Sequence, residues 1–392
     1  RTGKIKELHP YQQQILKATK ANKITRTETI QELWSGYGKI QRIYLEGNPK
    51  IPSLIVKIIQ EPTTQNHPRG WNSELGNQRK IKSYQIEENW YKKINANNLK
   101  EGKKNNVKAS IPTPKIARIP KYYPTKENTP RENKEIPRAQ NKSQAAQEKS
   151  PRAQEKLPWF QEKSPWVPEE TRRDGTTILL LEDLNPAGYP ARKTQINTKE
   201  IKVVLQWLAI FHAQNLNTST SGLWEIGTYW HLETRPEEWR KMEEGILKEK
   251  ASEIDLKLNN AEFKTIVHGD AKLANFCFSE NGELVAGVDF QYVGGGCGMK
   301  DIAYFLGSCL DEKDLFKWTN ILLDYYFQEL RLSLENVLDR PKQKALEEEW
   351  RYLFDFAWAD FDRFLLGWMP SHSKINKFSK ERSEAAILKL AP

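Results

Sequence analysis

Two segments of the 392-residue chain, VHGDAKLANFCF (267–278) and VAGVDF (285–290), carry Asp270, Asn275 and Asp289. Phosphoryl transfer from ATP needs a carboxylate that orients an attacking hydroxyl and accepts its proton. It also needs oxygen ligands for Mg2+ beside the phosphates. Asp270 and Asn275 have the D-x-x-x-x-N spacing that serves this chemistry, and Asp289-Phe290 stands where a second metal-binding carboxylate belongs. The spacing therefore proposes Asp270 as base and Asn275 and Asp289 as metal ligands. His268, two residues ahead of Asp270, joins it among the catalytic candidates. Asn281-Gly282 predicts a two-residue type I′ hairpin turn. In that register Asn275 faces Val288, so both candidate ligands reach the same open end of two strands.

A nucleotide needs a phosphate cradle and a place for its base. The segment ETIQELWSGYGKIQRIYL (28–45) predicts two strands around a glycine turn at Gly36-Tyr37-Gly38. Backbone amides there, with Ser35, are candidates for the phosphates, although the third glycine of a G-x-G-x-x-G pattern is replaced by Gln41. IPSLIVKII (51–59) predicts a buried strand. A lysine inside it is costly unless paired, which makes Lys57 a phosphate-pairing candidate. The helix predicted over 73–96 aligns Tyr84, Glu87 and Tyr91 on one face. Glu87 is the candidate partner of Lys57, with Glu74 and Glu88 as alternatives. TTILLLEDL (176–184) predicts a buried strand, and backbone groups from Leu181 through Glu182 to Leu184 are placed to bond an adenine.

The positioning elements follow from periodicity. A short helix is predicted over 11–21, a short strand among the prolines of 111–120, and an amphipathic helix over 199–216. From Lys313 onward the apolar spacing is helical. His212 reads as a core histidine, Asp301 as a helix N-cap, Gly294-Gly295-Gly296 as a flexible loop, and the aromatic stripe of 350–368 as core. Residues 121–170 hold seven of the 21 prolines, and Pro-Arg-Ala-Gln recurs within them. Such a segment buries little apolar surface. An insert of about 121–172 is therefore predicted to be disordered, with Trp159 and Trp166 able to dock on the body.

Composition bounds the function. The chain carries net +10, divided as +17 over residues 1–200 and −7 over 201–392. The positive charge is spread rather than clustered, which argues against nucleic-acid binding. Eight of the 13 tryptophans lie in the acidic half. There Asp355, Trp358 and Asp362 share a helix face that suits a cationic acceptor; the competing and favoured reading makes Trp358 core, with the aspartates solvated or paired with Arg351 and Arg363. No apolar run approaches a membrane span, and the N-terminus has no apolar h-region, so no signal peptide is expected. Cys277, Cys297 and Cys309 form no CxxC pair and fit a reducing compartment, so a cytoplasmic location is expected.

Together LWSGYG (33–38), IVK (55–57), YQIEENWY (84–91), LLLEDL (179–184), HGDAKLAN (268–275), VDFQ (288–291) and KDIAYFL (300–306) resemble the aminoglycoside phosphotransferase and choline kinase superfamily. Within it the chain is most similar to the ecdysteroid-kinase-like group. The resemblance implies an α+β, two-lobed protein-kinase-like fold, with a nucleotide-binding lobe over 1–184 and a helical catalytic and acceptor lobe over 185–392. It implies ATP and Mg2+ as cofactors and a small-molecule hydroxyl as acceptor. It also implies Lys57 and Glu87 as the ion pair on the nucleotide and 181–184 as the adenine hinge. Gly269 replaces the arginine of protein kinases, Gln291 replaces the glycine after Asp289-Phe290, and no Ala-Pro-Glu follows. A protein kinase and a non-catalytic binding protein on the same scaffold are the competing expectations.

Overall fold

The structure, a computed structural model, describes residues 10–33, 36–60, 74–104, 116–125 and 176–391. Ser35, Trp159, Trp166 and most of the polar insert lie outside the described residues. The class is α+β, as expected, with a β-sheet N-terminal part and a largely helical C-terminal part. Among the described residues no helix is long and apolar enough to cross a membrane.

Helix α1 (Pro10–Thr19) leads into strands β1 (Lys23–Glu32), β2 (Gly38–Glu46) and β3 (Ser53–Gln60), and helix α2 (Glu74–Lys104) follows. Strand β4 (Thr176–Glu182) completes an antiparallel sheet in the order β1-β2-β3-β4. Strand side chains alternate between faces. Leu54, Val56 and Ile58 of β3 pack on one face with Ile43, Leu180 and Ile15 of α1. Lys57, between them in sequence, is therefore carried to the opposite face, where α2 lies. The described part of the proline-rich segment, 116–121, is irregular rather than a strand. Tyr122 forms an isolated bridge to β4, opposite Leu181.

The C-terminal part begins with β5 (Ala191–Arg192) and α3 (Thr198–Gln214), whose start is fixed by a capping box between Asn197 and Glu200. Short helices α4 (Pro236–Lys241), α5 (Ile246–Glu249) and α6 (Ala251–Asn259) precede four small strands: β6 (Thr265–Val267), β7 (Phe276–Phe278), β8 (Val285–Gly287) and β9 (Gly294–Gly296). Helices α7 (Met299–Cys309), α8 (Glu312–Ser333), α9 (Arg340–Trp368) and α10 (Lys377–Leu390) close the chain. The aromatic stripe of α9 is core, as expected: Trp350, Phe354, Phe356 and Trp358 are buried. The triglycine is not a flexible loop. It is β9, paired with β6, and a Cβ on Gly294 would stand 2.4 Å from the Trp224 carbonyl oxygen.

The hairpin β7–β8 keeps the expected register, with Phe276 opposite Gly287 and the Val288 amide donating to the Asn275 carbonyl at 2.9 Å. Its turn differs. A type I′ turn needs positive φ at both central residues, and of Asn281 and Gly282 only Gly282 has it, at 72°. The Gly282 amide donates to the Ser279 carbonyl and the Ser279 amide to the Leu284 carbonyl, giving a four-residue connection over 280–283. The register survives because both geometries are centred between the same residues.

Gly287 is held against Trp207 of α3: a Cβ there would meet the indole at 2.5 Å. Gly287→Ala is expected to displace Trp207 and loosen the hairpin. Overpacking of this kind costs about 1–3 kcal/mol, to be read as a lower urea midpoint; an unchanged midpoint would show that the indole yields freely.

Candidate active site

The loop between β6 and β7 carries Asp270. Asp301, in the first turn of α7, holds it: one carboxylate oxygen accepts from the His268 amide (2.6 Å) and from His212 Nε2 (3.0 Å), the other from the Gly269 amide (3.0 Å). Asp301 is thus not the N-cap, a position taken by Gly298, but a buried tie between helix and loop. Burial opposes its charge, yet His212, His268 and the Gly269 amide outweigh this and hold its carboxyl below the ordinary carboxylate value. Gly269 must be glycine, because its φ is 80° and a Cβ would lie 2.0 Å from the Tyr292 carbonyl oxygen. His268 is fully buried. Its Nε2 meets the Val288 carbonyl (3.0 Å) and its Nδ1 accepts from the Asp270 amide (3.3 Å). Both ring nitrogens are committed to backbone, so the expected catalytic role of His268 gives way to bracing the loop.

Asp270, Asn275 and Asp289 come together. Asn275 Nδ2 donates to the Asp270 carboxylate (3.0 Å) and to its backbone carbonyl (2.7 Å). No donor among the described residues reaches Asn275 Oδ1. Asp289 takes the left-handed backbone region, φ 66°, rare for a residue other than glycine. Its side chain is 35% exposed, and Oδ1 lies 3.5 Å from Lys57 Nζ and accepts from Gln291 Nε2 at 2.6 Å. Burial would raise this carboxyl, but Lys57, Lys272, Lys80 and the Gln291 amide hold it down to about 2. An ionised carboxylate and an amide oxygen without a donor fit a hard, oxygen-ligated cation such as Mg2+.

Lys57 meets Glu87 at 2.6 Å, both buried. Glu88 pairs with Lys92 instead, and the Glu74 side chain lies outside the described residues. Desolvation works against the Lys57 charge, but Glu87 and Asp289 more than compensate and raise its proton affinity. Lys57, Glu87, Asp270, Asn275 and Asp289 line one cleft of about 900 Å3, as do Leu181, Glu182 and Leu184 at its far side. The Glu182 amide donates to the Lys121 carbonyl (2.8 Å), so that hinge donor is already used, whereas the Leu184 amide has no acceptor among the described residues. Gly36 and Gly38 do not line the cleft; Tyr37 does. Their positive φ values, 77° and 126°, serve the turn. A Cβ on Gly38 would stand 2.0 Å from the Ile58 carbonyl oxygen. Gly38 thus lets β2 pass close to β3.

The acidic face expected to hold a cation is spent elsewhere. Asp355 pairs with Arg382 (3.1 Å) and Lys389 (2.8 Å), and Trp358 packs on Phe378. Asp362 accepts from Ser383, and burial pushes its carboxyl up to about 6. All three face α10, and none lines the cleft. The cleft beyond Asp270 is instead bounded by Tyr229, Tyr292, Trp368, Arg235 and Lys272.

Sequence reasoning missed four residues. Lys272 Nζ lies 3.1 Å from Asp270. Gln291 links Asp289 to α2 by accepting from Lys80 and Ser83, each at 3.1 Å. Tyr304 donates to Asp270 at 3.0 Å, and Asp301 ties the loop. Only the placement of Lys272 two residues after Asp270 was a usable signal.

Residues 225–338 match a family model described as the ecdysteroid kinase-like family, in agreement with the motif resemblance. No curated protein sequence matches. Among solved structures, a microcompartment-associated aminopropanol kinase is similar at 12% identity, over 96% of this chain and 94% of that one, with a TM-score of 0.45. An amicoumacin kinase solved with AMP-PNP and Ca2+ is similar at 11% identity, over 97% and 93%, with a TM-score of 0.45. A choline kinase from Streptococcus pneumoniae is similar at 12% identity, over 96% and 98%, with a TM-score of 0.36.

Two outcomes test this geometry. Asp301→Asn puts an amide NH2 in place of one acceptor oxygen, facing either the Gly269 amide or the His268 amide and His212. It is expected to cost about 2–4 kcal/mol, the range for a broken buried polar network, read from the urea midpoint; a shift under about 0.5 kcal/mol would refute the tie. The folded value of Asp289, about 2, lies below its ordinary 3.8. The unfolded chain therefore takes the proton first. The stability this contributes is full above about pH 4 and is lost as pH falls through about 2. In Lys57→Met the largest attraction on Asp289 is gone and its folded value moves back toward the ordinary one, so the fall in stability between about pH 4 and 2, read from urea midpoints, is expected to be shallower than in the parent. An equally steep fall would contradict the assigned coupling.

Proposed function

We propose that the protein is an ATP- and Mg2+-dependent small-molecule kinase that phosphorylates a hydroxyl. The observation that carries this reading is the convergence of Asp270, Asn275, Asp289 and the Lys57–Glu87 pair on one cleft. Asp270 accepts the acceptor's hydroxyl proton, and Lys57, fixed by Glu87, orients the phosphates. Leu181, Glu182 and Leu184 receive the adenine, with the Leu184 amide as donor. Asn275 Oδ1 and Asp289 would hold Mg2+, which supplies neutralisation of the charge developing on the phosphates. Lys272 faces the same charge from beside Asp270. Residues 1–184 act as the nucleotide-binding lobe and 185–392 as the catalytic and acceptor lobe.

A small-molecule acceptor is supported by the short path after Asp289. The chain runs through β9 directly into α7 at Met299, leaving no room for a long activation segment. The rings of Tyr229, Tyr292 and Trp368, flanked by Arg235 and Lys272, give the acceptor an aromatic and basic wall. Three free cysteines support a reducing, cytoplasmic setting.

Asp270→Asn is expected to keep Mg-ATP binding and to reduce turnover by about 10²–10⁴, the worth of a positioned acid–base group; parent-like turnover in the folded variant would sink the base assignment. Asp289→Ala is expected to abolish magnesium-dependent nucleotide binding, measured by calorimetry, and an unchanged dissociation constant would refute the metal site.

A further inference from the structure

Asp270 is gripped on both carboxylate oxygens. Oδ2 accepts from Asn275 Nδ2 at 3.0 Å and meets Lys272 Nζ at 3.1 Å. Oδ1 accepts from the Tyr304 hydroxyl at 3.0 Å. The Tyr304 hydroxyl also lies 3.2 Å from that of Tyr229. A phenol has one proton to give, and the carboxylate is the stronger acceptor. Tyr304 therefore donates to Asp270 and accepts from Tyr229. Burial, with Asp270 nearby, raises the ionisation of Tyr304 well above the ordinary phenol value, so it remains a donor. Its ring is held between Trp230, at 4.7 Å between centroids, and the edge of Phe361, at 5.0 Å. Tyr229 lines the cleft, and Tyr304 stands behind it.

We propose that Tyr304 is a positioning residue for phosphoryl transfer, its hydroxyl fixing the plane of the Asp270 carboxylate so that the free lone pairs meet the acceptor's proton. Tyr304 lies three residues beyond Asp301 on α7. One helix thus sets both the backbone of the loop, through Asp301, and the side chain of its base, through Tyr304. Asn275 and Lys272 come from the loop itself and move with it, so Tyr304 is the contact that references the carboxylate to the helical core. The inference rests on the proposed kinase function.

The test compares the parent, Tyr304→Phe, Asp270→Asn and the double variant, with Mg-ATP and water as the phosphoryl acceptor. Tyr304→Phe keeps the ring packing and removes one oxygen. It is expected to lower kcat about 10- to 100-fold, the range for a misplaced reacting group, with KM for Mg-ATP within about twofold. In the Asp270→Asn background the same change is expected to alter kcat by less than about twofold, because a residue acting through Asp270 is not additive with it. Tyr229→Phe, which breaks the same hydroxyl chain one step earlier, is expected to give a smaller loss in kcat. Parent-like kcat in Tyr304→Phe, or an equal fold-loss in both backgrounds, overturns the inference while leaving the function intact. A parent that transfers a phosphoryl group from Mg-ATP neither to water nor to any small alcohol of a cell extract overturns the function, and this inference with it.

Discussion

The buried carboxylate of Asp301 is the constraint on which the site depends. Removing a charge from water costs several kcal/mol unless donors replace the lost hydration. Here three donors do so: the His268 and Gly269 amides and His212. His212 in turn meets the Tyr326 hydroxyl at 2.8 Å. One side chain therefore joins α3, α7, α8 and the loop that carries Asp270. The loop has little freedom left. Gly269 takes a conformation open to glycine, and His268 bonds backbone through both ring nitrogens. Asp270 is presented to the cleft by a frame that is satisfied before any ligand enters.

The sheet side of the cleft is governed by charge. Lys57 is carried away from the apolar face of β3 by strand alternation, and only the carboxylates of Glu87 and Asp289 make its burial tolerable. Asp289 bridges the two parts of the molecule: it meets Lys57 from β3 and is bonded through Gln291 to Ser83 and Lys80 of α2. Gln291 occupies a position where protein kinases have glycine. Its amide does structural work there, holding Asp289 in a left-handed conformation. Lysines surround the carboxylates closely enough to keep Asp289 ionised at any ordinary pH.

Much of this was legible in the sequence where the signal is local. The D-x-x-x-x-N spacing, the hairpin register that sets Asn275 beside Val288, and the lysine inside an apolar strand each depend on neighbours in the chain. Helical spacing put Glu87 on the face with Tyr84 and Tyr91 and made it the candidate partner of Lys57, but the choice over Glu88 needed the folded pairs, Lys57 with Glu87 and Lys92 with Glu88. What sequence reading lost depends on distant partners. Asp301 looks like a cap until the loop arrives beside it. His268 looks catalytic until Val288 takes its Nε2. Asp355 and Asp362 look like a cation site until α10 brings Arg382, Lys389 and Ser383. Gly38 carries a second constraint that the sequence does not show, the approach of β3. Tyr304 and Gln291 carried no local mark, since each acts only through a contact made in the folded chain.

The most direct test of the central claim is product analysis by mass spectrometry after the protein, Mg2+ and ATP are incubated with a fractionated cell extract. The account predicts that one small alcohol, or a few related ones, gains a phosphoryl group at its hydroxyl, and that the gain is lost with Asp270→Asn. Transfer to proteins alone, or ATP binding with no phosphoryl transfer to any acceptor, would contradict it.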